Sequence, residues 1–157
     1  MASGASKTLF FKKSNFVTHL PADYRYSPTH YWLAAQPDGS WRIGFTKFAV
    51  RMLGELVEHG FEIEPGKAIQ PGDILGWVEG FKAISDVYGI VEGRFIAANE
   101  TLKTQLKALG NKPYSDGWLY QAAGMPDANC LDVHGYAAHL DRTIAMILEK
   151  QKSQENT

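Results

Sequence analysis

Over most of the chain, short apolar runs alternate with polar positions, and turn residues interrupt them every few steps. That is the pattern of strands and hairpins rather than of long helices. Residues 31–35 read as a strand, Pro37-Asp38-Gly39-Ser40 as a turn and residues 41–45 as the returning strand. Upstream, Phe10, Phe11 and Phe16 precede Pro21-Ala22-Asp23, and Tyr24, Tyr26, Tyr31 and Trp32 crowd around Ser27-Pro28, with no element predicted before residue 31. Thr46 can cap a short helix, since its hydroxyl accepts an orphan N–H of the first turn. Phe48, Ala49, Met52 and Leu53 would form the apolar face of that helix, with Gly54 as its left-handed stop.

From residue 55 to residue 98 the reading is strand and turn. Residues 55–61 form a strand, and Pro65-Gly66 and Pro71-Gly72-Asp73 bracket a short one at 67–70. Residues 74–81 and 84–90 are apolar-rich arms meeting around Lys82; Gly93 breaks the run and residues 94–98 resume it. Residues 101–109 predict a helix, with Leu102, Gln105, Leu106 and Leu109 on one side and Gly110 as its stop. Residues 117–122 predict a last strand and residues 125–129 a loop. Asp132 then caps a helix whose Val133, Tyr136, Ala137, Leu140, Ile144, Ile147 and Leu148 form one stripe, expected to lie along the β-core. Several short strands at this spacing mean a small sandwich or barrel.

Composition narrows the function classes. The 157 residues suffice for one domain with its own core. With 16 basic and 17 acidic residues the net charge is −1, which argues against a nucleic-acid groove or a polybasic membrane patch. A single cysteine, Cys130, excludes an internal disulfide framework and Cys-rich metal sites. No apolar run approaches the roughly 20 residues needed to span a bilayer. Residues 1–6 lack the apolar stretch of a secretion signal, so the expected location is cytoplasmic. The polar ends, 1–7 and 150–157, are expected to fray. The tryptophans Trp32, Trp41, Trp77 and Trp118 are expected in the core, because their area dominates burial in a small β-domain.

The chemistry-bearing segment is Gly76-Trp77-Val78-Glu79-Gly80-Phe81-Lys82-Ala83-Ile84-Ser85-Asp86-Val87-Tyr88. Two β-prone arms put Lys82 at a hairpin tip, where its amine is either a solvated surface charge or the anchor of a prosthetic group. Cys130 and His134 are four apart and could share a helical face, with Asp132 as a third member. Such a pair could lower a thiol pKa or bind a metal, but two ligands do not close a site, and the favoured reading of Cys130 is a packed or merely exposed cysteine. The histidines His19, His30 and His59 show no ligand spacing, and His134 and His139 are wrongly spaced for one face; His30 reads as a structural residue of the N-terminal hairpin. Lys103 and Lys107 read as a solvated helix face.

Between residues 20 and 148 the chain resembles the glycine-cleavage H protein family of lipoyl carriers. The family's "HEW" step is similar to His30-Tyr31-Trp32, and its "VGIT–x–YA…LG" helix to Ile43-Gly44-Phe45-Thr46-Lys47-Phe48-Ala49 with Leu53-Gly54. Its "ESVKA–S–LY" motif matches Glu79 through Tyr88, followed eleven residues past the lysine by Gly93. The later "VNE–L" and "N–PYG–GWL" are matched by Ala98-Asn99-Glu100-Thr101-Leu102 and by Asn111-Lys112-Pro113-Tyr114-Ser115-Asp116-Gly117-Trp118-Leu119. The resemblance implies a mainly β barrel-sandwich hybrid with short flanking helices and a C-terminal helix. It divides the chain into an N-terminal extension (1–19), a lipoyl-carrier domain (20–124) and a C-terminal helical segment with a frayed tail (125–157).

The same resemblance implies lipoate attached to Lys82, with Glu79 and Gly93 as the context of the lipoylation site: Glu79 in recognition by the lipoylating enzyme, its other reading being a solvated strand carboxylate, and Gly93 in a backbone role, allowing a conformation or an approach that a Cβ would block. It implies a carrier that is a substrate of other enzymes rather than an enzyme, and no nucleic-acid partner. The partners are a lipoate ligase or lipoyl transferase, dihydrolipoamide dehydrogenase, and either glycine cleavage enzymes or a heterodisulfide-reductase-like complex. Biotin is disfavoured, because its acceptor lysine usually sits between methionines and here the neighbours are Phe81 and Ala83.

The chain departs from the usual motif at Tyr31 (for glutamate), Gly80 (for serine), Phe81 (for valine), the stretch Glu62-Ile63-Glu64-Pro65-Gly66, and Gly89-Ile90 near a usual Ser-Pro. These departures favour the paralogous lipoate-binding proteins of bacterial sulfur oxidation, which carry sulfur intermediates. The alternative is a glycine cleavage H protein carrying an aminomethyl group between glycine decarboxylase and aminomethyltransferase. Two further classes stand beside the carrier: a thiol transferase or hydrolase centred on Cys130, and an unmodified interaction domain.

Overall fold

Strand β4 (Tyr31–Ala35) shows how the fold is organised, because four of its five residues are buried and they alternate between two cores. Tyr31 and Leu33 enter one core, Trp32 and Ala34 the other, as the two-residue period of a strand requires. The computed structural model describes residues 7–155. The other strands are β1 (Thr8–Lys13), β2 (Phe16–Pro21), β3 (Arg25–Ser27), β5 (Trp41–Phe45), β6 (Leu56–Phe61), β7 (Ala68–Ile69), β8 (Ile74–Gly80), β9 (Ile84–Tyr88), β10 (Val91–Ala98) and β11 (Tyr120–Pro126). The helices are α1 (Lys47–Leu53), α2 (Ala108–Asn111) and α3 (Val133–Glu155), with a 3-10 turn at Glu100–Lys103.

A six-stranded antiparallel sheet in the order β3-β4-β5-β11-β10-β7 faces a three-stranded one in the order β6-β8-β9. Leu33, Ile43, Phe45, Phe95 and Tyr120 of the first sheet meet Leu75, Val78 and Val87 of the second in the main core. On the outer face of β3–β4, the β1–β2 hairpin and α3 close a second core around Tyr26, Trp32, Tyr136 and Leu140. The mainly β sandwich with a C-terminal helix is the expected fold class.

The β4–β5 hairpin, the β8–β9 hairpin, the Thr46 cap and the Asp132 cap lie where the sequence puts them. Other elements differ. The aromatic N-terminus is the β1–β2 hairpin, whose turn places Ser14 at φ 56°, a left-handed residue without a glycine to announce it. Gly93 does not break a strand. It lies inside β10 opposite Gly124, and a Cβ on it would fall 1.9 Å from the Ala123 carbonyl oxygen. Residues 101–109 are not one helix: Asn99 accepts from the Thr101 N–H, and Thr104 Oγ1 bonds back to the Thr101 carbonyl, so hydroxyls compete with the helical ladder and the chain tightens into a 3-10 turn. Gly110 sits within α2.

Strand β11 starts three residues later than predicted and runs to Pro126, into the expected loop. On α1 the buried residues are Phe48, Val50 and Leu53, while Met52 is exposed. Of the four tryptophans only Trp32 is fully buried; Trp41, Trp77 and Trp118 are half-buried. Residues 150–155 continue α3 instead of fraying, and residues 1–6 and 156–157, whose fraying was also expected, lie outside the described residues.

Candidate functional site

At the end of the β8–β9 hairpin, Glu79 pairs with Ile84 and the chain turns through Gly80-Phe81-Lys82-Ala83. Three backbone bonds fix this tip. Gly80 N–H donates to the Ala83 carbonyl, Phe81 N–H to the Glu55 carbonyl and Lys82 N–H to the Leu53 carbonyl, each at 2.9 Å. The last two tie the tip to the junction between α1 and β6, so the base of the lysine is braced by another part of the chain while its side chain is exposed.

Two glycines make this contact possible. Gly54 caps α1 at φ 79°, with its N–H shared between the Val50 and Arg51 carbonyls. The stem of Lys82 passes over it: a Cβ there would lie 2.8 Å from Lys82 Cγ. At Gly80 a Cβ would fall 2.2 Å from the Leu53 carbonyl oxygen. The side chains that share the tip with Lys82 are apolar and exposed, Phe81 at 76% and Ile84 at 68%. Glu79 is half-buried at the foot of the tip, opposed by Glu58 on β6.

Beside the tip lies a cleft of about 290 Å3 whose walls include Thr29, His30, Tyr31, Phe48, Met52, Ile84 and Tyr88, with no carboxylate among its lining residues. Tyr31 stands in it with its hydroxyl committed: it accepts from the Tyr88 N–H (2.9 Å) and donates to the Asp86 carbonyl (3.4 Å). Burial holds that phenol in its neutral form, its pKa raised above the ordinary value. His30, at φ 75°, bonds through Nδ1 to the Tyr136 hydroxyl at 2.8 Å. Burial, with a smaller contribution from His139, brings its pKa down to about 4, so the ring is neutral near pH 7.

Lys82 and Glu79 therefore share one hairpin, whereas Gly93 lies in the other sheet. Sequence reasoning gives Gly54 as a helix stop and as part of the Leu53-Gly54 match to the family's helix motif, and misses the Leu53 and Glu55 carbonyls, because no short-range signal links residues 53–55 to 80–82. His30 belongs to the β3–β4 turn and to the cleft wall rather than only to a hairpin. Cys130 lies before α3, not on it; burial first, and the nearby Asp127 second, push its thiol up to about 11, the opposite of activation. Asp132 spends its carboxylate on the Gly135 N–H at 2.7 Å. Among the described residues no group of three or more His, Cys, Asp or Glu could hold a metal.

The family model described as Glycine cleavage H-protein matches residues 24–131. Similar curated proteins include the glycine cleavage system H proteins of Enterobacter sp. (strain 638) and of Idiomarina loihiensis, each 32% identical over 128 residues, spanning 80% of this chain and 98% of the relative. Among solved structures, the glycine cleavage system H protein from Mycobacterium marinum superposes with a TM-score of 0.68 at 31% identity, covering 76% of this chain and 97% of that one.

Proposed function

This chain belongs to the glycine cleavage H-protein family, and we propose on that premise that it carries lipoate as an amide on the Nζ of Lys82, shuttling intermediates between separate enzymes. The observation that carries the assignment to Lys82 is the exposed amine on a tip held by backbone bonds to Leu53 and Glu55. A long appendage fits there: the amine faces solvent, Gly54 leaves room for the stem, and the neighbouring cleft is open. When bound, the group supplies a dithiolane that opens to two thiols and takes up electrons or a carried group. Lys82 acts as the anchor and neither as base nor as nucleophile. Glu79 serves as a recognition carboxylate for the lipoate ligase or lipoyl transferase. Gly93 serves through its backbone, letting β10 approach β11.

The relatives' names favour glycine cleavage clients: glycine decarboxylase, aminomethyltransferase and dihydrolipoamide dehydrogenase, in the cytoplasm. Among the described residues no helix is long and apolar enough to cross a membrane. One observation favours a second reading, a carrier of sulfur intermediates serving a heterodisulfide-reductase-like complex. Where the family's motif has the glutamate of "HEW", this chain has Tyr31, and the cleft beside the anchor offers no carboxylate to an aminomethyl ammonium.

Intact-mass measurement after incubation with lipoate, ATP and a lipoate ligase tests the carrier reading. A lipoyl increment on the wild-type chain and none on Lys82→Arg is expected; an unmodified wild-type chain would end it. Offering the reduced, lipoylated protein to glycine decarboxylase with glycine, or to a sulfane-sulfur donor, then separates the clients by the mass of the adduct.

A further inference from the structure

His30 has one hydrogen-bonding atom that the fold does not use. Its Nδ1 is engaged with Tyr136, while its Nε2 makes no hydrogen bond. Among the described residues no buried side-chain nitrogen or oxygen lacks a partner, so Nε2 reaches open space, and the cleft beside the lysine tip is the cavity that His30 lines.

Which proton Nε2 carries follows from the chain of groups behind it. Thr46 is completely buried, and its hydroxyl has two partners: the Ala49 N–H, which can only donate to it (3.5 Å), and the Tyr136 hydroxyl (2.9 Å). The Thr46 proton therefore has one acceptor, Tyr136 Oη. Having accepted from Thr46, Tyr136 places its own proton on His30 Nδ1. An unprotonated Nδ1 in a neutral ring leaves the proton on Nε2. The helix cap of α1 thus sets, through two hydroxyls, the tautomer of an imidazole on the cleft wall.

We propose that this relay holds His30 as the Nε2–H tautomer and that the N–H donates a hydrogen bond to the thiolate of the reduced arm when the arm lies along the cleft. His30 is then a positioning residue that favours the ionised form of the carrier's own sulfur. The inference rests on lipoate being attached to Lys82, and it serves both client readings, since the reduced arm with its two thiols belongs to each. A neutral donor suits this role, because a hydrogen bond to the charged form of an acid favours that form, and burial keeps the imidazole from becoming a cation that a sulfur anion would trap. Of the groups around the ring, His139 of α3, stacked at 5.6 Å, is the one able to gain a positive charge; Tyr136 of α3, Phe48 of α1, and Tyr31 and Tyr88 across the cleft bring none.

Two measurements test this. Nitrogen-15 NMR of the wild-type chain, lipoylated or not, reads the tautomer directly: a protonated Nε2 and an unprotonated Nδ1 are expected, and the reverse overturns the proposal. The lipoylated protein is then reduced with a trialkylphosphine, and its rate of alkylation by iodoacetamide is followed against pH beside free dihydrolipoamide. The arm is expected to titrate about one pH unit below the free compound; the roughly tenfold larger thiolate fraction at low pH is partly offset by the weaker nucleophilicity of the more acidic thiol, leaving a rate advantage of about three- to fourfold. His30→Asn, which suits the positive φ, is expected to remove that advantage. An arm that titrates like free dihydrolipoamide, or a His30→Asn profile equal to the wild type, overturns the proposal. A missing lipoyl increment on Lys82 would instead defeat the carrier reading and leave the tautomer result standing.

Discussion

Gly80 stands where the family's usual motif carries serine, yet in this fold a side chain at that position has nowhere to go. The Leu53 carbonyl oxygen lies 2.2 Å from where a Cβ would be, and the same carbonyl accepts the Lys82 N–H. Restoring the family residue, Gly80→Ser, is therefore expected to destabilise the chain by about 1–3 kcal/mol, as overpacking does, and to loosen the tip. Urea denaturation reads the first effect, and faster amide exchange at Lys82 reads the second. The lysine itself is legible from the sequence because the flanking arms are strand-like and the motif is local. Its footing is not: it depends on backbone atoms about 27 residues upstream. Cys130 is the reverse case, prominent as a letter but half-buried, with burial pushing its thiol up to about 11.

Among the elements, α3 carries the second core. Leu140 is fully buried against the β1–β2 hairpin and β3–β4, so Leu140→Ala is expected to cost about 2–5 kcal/mol through lost transfer energy and the cavity left behind, measured by denaturant midpoint at constant slope. The same helix holds His30 through Tyr136, and acid acts on that tie. Above the ordinary histidine pKa near 6.5 both folded and unfolded states are neutral here and His30 contributes nothing to the pH slope. As pH falls from 6.5 to about 4, the unfolded chain binds a proton the folded one refuses, and stability drops by up to about 3 kcal/mol. His59, lowered by burial and by Lys103, adds to the loss as pH falls below the ordinary histidine value. Unfolding midpoints at pH 7 and pH 4.5 check this, and His30→Asn should flatten the dependence.

The element scale also shows why sequence reading succeeds unevenly. The β4–β5 and β8–β9 hairpins announce themselves through apolar arms around turn residues. The β1–β2 hairpin does not, because its left-handed residue is Ser14. Gly93 reads as a breaker until its partner Gly124, far along the chain, is known to face it. The helix predicted at 101–109 fails because Thr101 and Thr104 offer their hydroxyls to the backbone and to Asn99.

For the molecule as a whole, the sandwich is complete without the lysine side chain, which is exposed and buries no core surface. Lys82→Arg is thus expected to change unfolding stability by no more than about 0.5 kcal/mol, the range of surface substitutions, while abolishing the lipoyl mass increment. A melting temperature that fell with the substitution would mean the fold leans on the anchor.

Because the tip of the β8–β9 hairpin is gripped by main-chain atoms alone, the outward-facing side chains there are unencumbered by structural duty. Phe81, which lies outside the cleft lining, can be exchanged by evolution or by an engineer to suit a different docking enzyme, with the cargo tether keeping the same footing throughout.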